Sequence, residues 1–191
     1  DPLWSRGLGD VYKRQHPAAD ALQQVLRDNH LAEDAIDRVV AHVHQGAIDV
    51  LGPVVDPRTV HQSKFSMGTV LGLIARKGRA GLPEFDAALD DPAVAAFRAR
   101  VTMELDPEVD AAYPQRWIGK VTVHIRDGRT LHGRVDEPKG DPGNTLSRDE
   151  IEAKTLSLGR YADAATDAEL RALIGAIWNL EKAERIGALL P

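Results

Sequence analysis

The side chains best placed to do chemistry in this chain are His61, Gln62, Ser63, Lys64 and Ser66, which gather just ahead of a long apolar run. If that run is a helix, they lie beside its unpaired N–H groups and the positive end of its dipole, where an anion would be held. The plainer alternative is that Ser63 caps the helix while Lys64 reaches water. His42 and His44 stand two apart in a segment of period two, so both would project from one strand face. That spacing can hold a metal, but no third ligand stands nearby, and a solvated strand face is the expectation. Lys120, His124, His132 and Arg134 gather on one face of a hairpin, which could attract an anion or be wet.

The element that organises these groups is the stretch His61 to Gly81, HQSKFSMGTVLGLIARKGRAG. No charge occurs from Phe65 to Ala75, so a helix there must be covered on nearly every side, and it is too short to span a bilayer. Met67, Val70, Leu71 and Ile74 follow the helical template. Gly68 and Gly72 lie one turn apart on another face. Glycine costs about 1 kcal/mol against alanine in a helix interior, so two stacked glycines imply a neighbour packed close to the backbone.

Ahead of it, a helix opens at His16 with Pro17 in the first turn and Ala18, Leu22, Val25 and Leu26 on one face, ending at Asn29 and His30. After the acidic turn Glu33 to Asp37, Arg38 to His44 reads as a strand, and Gly52, Pro53 and Pro57 mark a loop. Beyond the central helix come short helices from Pro83 to Leu89 and Pro92 to Arg100, a strand from Val101 to Leu105, and an irregular stretch from Asp106 to Pro114. In the hairpin that follows, a two-residue Asp127-Gly128 turn would set Val123 and Ile125 on the face of His132. A three-residue loop, Arg126 to Gly128 with Gly128 left-handed, instead pairs Ile125 with Arg129, Val123 with Leu131 and Val121 with Gly133, so that all apolar residues share a face. The turn-rich run from Glu137 to Thr145 then leads to two helices. Each opens on a capping box, Ser147 with Glu150 and Thr166 with Glu169, and the second carries the stripe Leu170, Leu173, Ile174, Ile177 and Trp178, with Leu180 beside it. Such a stripe needs a partner surface.

With 191 residues and a formal charge of −5, the chain is large enough for one domain with a real core and perhaps a smaller appendage. It has no basic excess and no cluster of cations with interleaved aromatics, so nucleic acid is not an expected partner, nor is a membrane. The absence of cysteine excludes disulfides, thiolate zinc sites and cysteine-ligated clusters within this chain, and fits a cytoplasmic location. The first fifteen residues, DPLWSRGLGDVYKRQ, lack helical or strand periodicity and the apolar core of a signal peptide. GDVYKRQ resembles translated adaptor sequence. Asp1 to Gln15 is therefore expected to be a non-native lead, with the natural protein continuing upstream of His16.

Taken together, HPAADAL from His16, SKFSMGTVLGLIARKG, FDAALDDPAV, VTVHIRDGRTL and EPKGDPGNTLSRDEIEAK resemble, in order and spacing, the C-terminal portion of the MmgE/PrpD family. That family includes 2-methylcitrate dehydratase and cis-aconitate decarboxylase. Thr145 departs from the pattern, since many relatives carry proline there. The resemblance implies an α+β fold, a small antiparallel sheet packed with helices. It divides the chain into a lid-like domain over residues 16–144 and C-terminal helices over 145–191 that return to an all-helical domain absent from this sequence. It implies a lyase that needs no cofactor or metal, dehydrates 2-methylcitrate or a similar polycarboxylate and works as a homodimer when full length. Cis-aconitate-type decarboxylation, diacid epimerisation, and a non-catalytic binding or dimerisation module are the alternatives. Carboxylate elimination needs cations to hold the substrate and an acid/base pair to move protons. The main catalytic groups are expected in the missing N-terminal part, and His16, Lys64 and Ser66 are the substrate-contact candidates within the matched blocks. Lys13, in the adaptor-like run, is not taken for a family lysine. A chain lacking the helical domain is expected to be inactive and prone to associate.

Overall fold

A computed structural model describes residues 14–182, which fall into two compact units broken between Asn144 and Thr145. The lead peptide expected over Asp1 to Gln15 lies almost wholly outside the described residues; Arg14 and Gln15 form a turn, with Gln15 buried.

The first unit is α+β. Its strands are β1 (Ile36–Val43), β2 (Val101–Leu105), β3 (Gly119–Ile125) and β4 (Thr130–Val135), in the order β2-β1-β3-β4. Three strands run antiparallel, as expected, but β2 lies parallel to β1, with Val39 opposite Val101 and Val43 opposite Leu105. The connection from β1 to β2 is a run of helices, which is what a parallel pair requires. These are α2 (Gln45–Leu51), α3 (Val60–Ser63), α4 (Met67–Lys77), α5 (Leu82–Ala88) and α6 (Pro92–Arg98).

The hairpin has the three-residue register argued from the apolar pattern. Val123 faces Leu131, Val121 faces Gly133, and Ile125 N–H donates to the Arg129 carbonyl at 2.9 Å. Gly128 has φ +93°, where a residue with a Cβ is strained. The helix α1 (His16–Asp28) lies across β3 and β4, burying Ala18, Leu22 and Val25. It comes so close that a Cβ on Gly119 would sit 2.0 Å from the Pro17 carbonyl oxygen, and one on Gly133 2.4 Å from that of Ala21.

The apolar run forms α4, and every residue from Met67 to Ile74 is buried. The neighbour implied by its glycines is α6: Gly72 packs against Phe97 and Gly68 against Arg98. The helix is not continuous back to His61. Thr59 caps the separate helix α3, and Ser66 rather than Ser63 caps α4, accepting from Thr69 N–H at 3.3 Å. Asp106 to Pro114, expected to be irregular, contains α7 (Pro107–Ala112). Asp106 caps it by accepting from the N–H groups of Glu108 and Val109 at 2.9 and 3.0 Å, and proline fills the first helical position.

The second unit holds α8 (Arg148–Tyr161) and α9 (Asp167–Trp178), both opening on the expected capping boxes. Leu156 and Leu170 are buried between them, and Gly159 makes room for Leu170. Leu173 and Ile177 of the stripe stay exposed, as do Ile151 and Leu158. Among the described residues no helix is long and apolar enough to cross a membrane.

Candidate functional site

The front of α4 borders a cleft of about 410 Å³ in the first unit. One wall comes from α2 and the loop after it, through Ile48, Leu51, Val54 and Val55; the others come from Ser66 to Gly68 and from β2. The apolar side chains follow from the fold, because β2 is an edge strand with one free side and α2 stops at Gly52 before reaching α4. Among the described residues Arg98 is the single charged one lining the cleft. Its stem rests on Gly68, where a Cβ would approach Arg98 Cγ to 2.7 Å and its carbonyl oxygen to 2.9 Å. Its guanidinium donates to Asp56 Oδ1 at 2.9 Å.

Of the three expected contact residues, Ser66 lines this cleft, whereas Lys64 and His16 are not among its lining residues. Ser66 is buried and its oxygen is engaged in the cap. Lys64 is half-buried at the end of α3, and His16 is exposed at the start of α1, near enough to Asp20 to act on its carboxyl. The cradle drawn from His61 to Ser66 is therefore divided between two helices. Ser63 donates to the Val60 carbonyl at 2.7 Å and is buried. Nothing in the sequence around Arg98, the cation that lines the cleft, marks it out; the one signal for it is Gly68, whose missing side chain requires a close neighbour.

His42 lies on β1, half-buried, whereas His44 falls just past the strand's end as the N-cap position of α2 and is buried, so the two do not form one solvated strand face. His42 Nε2 meets Thr122 Oγ1 at 2.8 Å, and Thr122 also approaches His132 Nδ1 at 3.3 Å. The His44 ring stacks on Tyr113, centroids 3.9 Å apart and planes 5° from parallel, with Trp117 edge-on at 5.7 Å. Both its ring nitrogens are buried without a hydrogen-bond partner among the described residues. Burial first, and then the Arg14 charge, pushes this imidazole down to about 4. Among the described residues no group of three or more His, Asp or Glu side chains is arranged to hold a metal.

The basic hairpin face is answered by the cap and first turn of α7. Lys120 Nζ lies 2.5 Å from Asp106 and 3.2 Å from Glu108, and Arg134 grips both Glu108 oxygens at 2.7 and 3.0 Å. Arg134, followed by Lys120, holds the Glu108 carboxyl down to about 2. Free positive charge on this face is thus much smaller than the residue types suggest.

No curated protein matches the chain. Residues 14–180 match the MmgE/PrpD C-terminal domain, a span that holds the whole sheet, the cleft and both helices of the second unit. The match starts two residues ahead of His16. With most of its length and all of its sheet inside that match, the chain belongs to the MmgE/PrpD family, a family of lyase type.

Proposed function

We propose that this chain supplies the lid-like domain and closing helices of a lyase that removes water from 2-methylcitrate or a similar polycarboxylic acid. The observation that carries this reading is the family match over residues 14–180. In this reading residues 16–144 form the lid, and residues 145–191 pack on an all-helical domain that supplies the main catalytic groups. The exposed Leu173 and Ile177 of α9 support that packing role, since an apolar stripe gains stability when covered. The complete protein would be a cytoplasmic homodimer, and Ser66, with Lys64 and His16, would help shape the substrate pocket. Cations and neutral donors hold the carboxylates while an acid/base pair moves the proton and the leaving hydroxyl.

The test is to recover the coding sequence upstream of residue 14, express the longer protein and offer it 2-methylcitrate and cis-aconitate. Loss of water from 2-methylcitrate, read as new absorbance of the conjugated double bond, is the expected result. Release of carbon dioxide from cis-aconitate would move the chain to the decarboxylating branch. Upstream sequence in which the histidines and lysines of the family's active-site positions are replaced, with no turnover of either acid, would leave a binding module.

A further inference from the structure

We propose that the cleft beside the front of α4 binds a small carboxylate with an apolar body, the carboxylate replacing Asp56 on the Arg98 guanidinium. Nothing in this inference rests on the lyase reading; it needs only the cleft and its cation.

The volume, about 410 Å³, falls within the ~300–1,000 Å³ usual for small-molecule sites. Ile48, Leu51, Met67, Val101 and Met103 give it walls that would desolvate an alkyl chain; of the two hydroxyl residues beside them, Ser66 is engaged in the α4 cap and Thr102 is exposed. Against these walls stands one cation, so the complementary molecule has one anionic end and one apolar end. Arg98 is held there by its stem on Gly68, and its side chain is only 15% exposed. A guanidinium has five N–H donors, and the hydrogen bond described for Arg98 is the one to Asp56. A carboxylate offering two oxygens would use more of that donor set and gain from the reduced exposure.

The resident partner is well suited to leave. Asp56 is 52% exposed and also lies 2.5 Å from Arg58, which stays paired with it when Arg98 is given up. The exchange therefore strands no carboxylate. Val55, next in sequence, is 72% exposed although apolar, and it borders the same cleft. An alkyl chain in the cleft gives that side chain an apolar neighbour in place of water.

The experiment is calorimetric titration of the full chain with hexanoate, alongside acetate and hexan-1-ol. Saturable hexanoate binding is expected, with acetate and hexan-1-ol each weaker by about tenfold or more, since each lacks one half of the match. Asp56→Asn should tighten hexanoate binding, because it removes the internal competitor, and Arg98→Gln should weaken it by about tenfold or more. Asp56 is exposed, so its variant keeps the test open even if Arg98→Gln fails to fold. The proposal is overturned by absence of saturable hexanoate binding, by hexan-1-ol binding as tightly as hexanoate, or by Asp56→Asn leaving affinity unchanged or weaker. Hexanoate binding by this chain, with neither acid turned over by the protein extended upstream of residue 14, would leave this site standing and remove the function proposed above; turnover by the extended protein without hexanoate binding would do the reverse.

Discussion

Replacing His44 with phenylalanine should make the protein less sensitive to acid. The imidazole is buried against Tyr113 and Trp117 with neither nitrogen bonded among the described residues, so the fold accepts it only in the neutral form. Burial, then Arg14, holds its pKa at about 4 against an ordinary 6.5, while Asp110 and Asp49 oppose the shift. Between those values the unfolded chain takes up a proton that the folded chain refuses. Stability is therefore complete above the unfolded value, falls as pH drops toward the folded one, and is flat below it. At about 1.4 kcal/mol for each pH unit, the separation amounts to roughly 3 kcal/mol. Phenylalanine keeps the stack and sacrifices no cap, since the His44 side chain makes none and Asp110 accepts from the Gln45 N–H at 2.8 Å. Its extra bulk shifts the baseline but not the pH dependence. Urea unfolding of both proteins at intervals from pH 7 to pH 4.5 should show the variant gaining about 2–3 kcal/mol on the wild type as pH falls. Carboxylates common to both cancel in the difference. A stability difference that stays constant over this range, or an imidazole that titrates near 6.5 by NMR, would refute the reasoning.

Three further substitutions probe the frame. Gly119→Ala places a Cβ 2.0 Å from the Pro17 carbonyl oxygen, a backbone atom that cannot swing away, and should cost about 3 kcal/mol or prevent folding; thermal denaturation near the wild-type midpoint would show that α1 does not lie so close. Glu33 joins Arg76 and Arg100, all three side chains less than a quarter exposed, so Glu33→Ala should cost about 2 kcal/mol by taking the carboxylate from Arg100 and leaving Arg76 only the longer pair with Asp91 at 3.6 Å. A chemical-denaturation difference under about 0.5 kcal/mol would place the cluster with ordinary surface pairs. Gly128→Ala meets nothing within 4 Å, so its loss of about 1–2 kcal/mol should come from the left-handed backbone alone, and Gly128→Asn, more tolerant of that conformation, should recover part of it in the same unfolding assay.

The parts of the fold legible in the sequence are those in which a local pattern carries a tertiary demand. The hairpin loop could be read because a one-residue slip would have turned Val123 away from Leu131. The cover over α4 could be read because no residue from Phe65 to Ala75 is charged, and its close neighbour because Gly68 and Gly72 stack. The rest depended on segments distant in sequence. His44 looks solvated in the sequence because Tyr113 and Trp117, which pack on its ring, come from another part of the chain, as does Thr122, which bonds to the half-buried His42. Lys120 and Arg134 look like an open basic face in the sequence because Asp106 and Glu108, their partners, sit in a stretch without helical or strand periodicity. The sequence does hold one signal there, since an aspartate directly before proline is a helix start, but α7 is short and buries little beyond Val109, so it leaves no periodic pattern. The cleft draws on α2 and its loop, the front of α4, Arg98 of α6 and β2, so no single stretch announced it. The parallel placement of β2 likewise followed from the crossover as a whole rather than from its own five residues.

Turnover of 2-methylcitrate by this chain with and without a helical partner domain tests the central claim most directly. The 191-residue chain and a single polypeptide joining the N-terminal helical domain of a full-length family member to residues 14–191 would be assayed side by side for the unsaturated product. No product is expected from the chain alone, and measurable dehydration from the joined protein. Dehydration by the chain alone, or a folded joined protein that binds the acid and never releases water from it, would contradict the account.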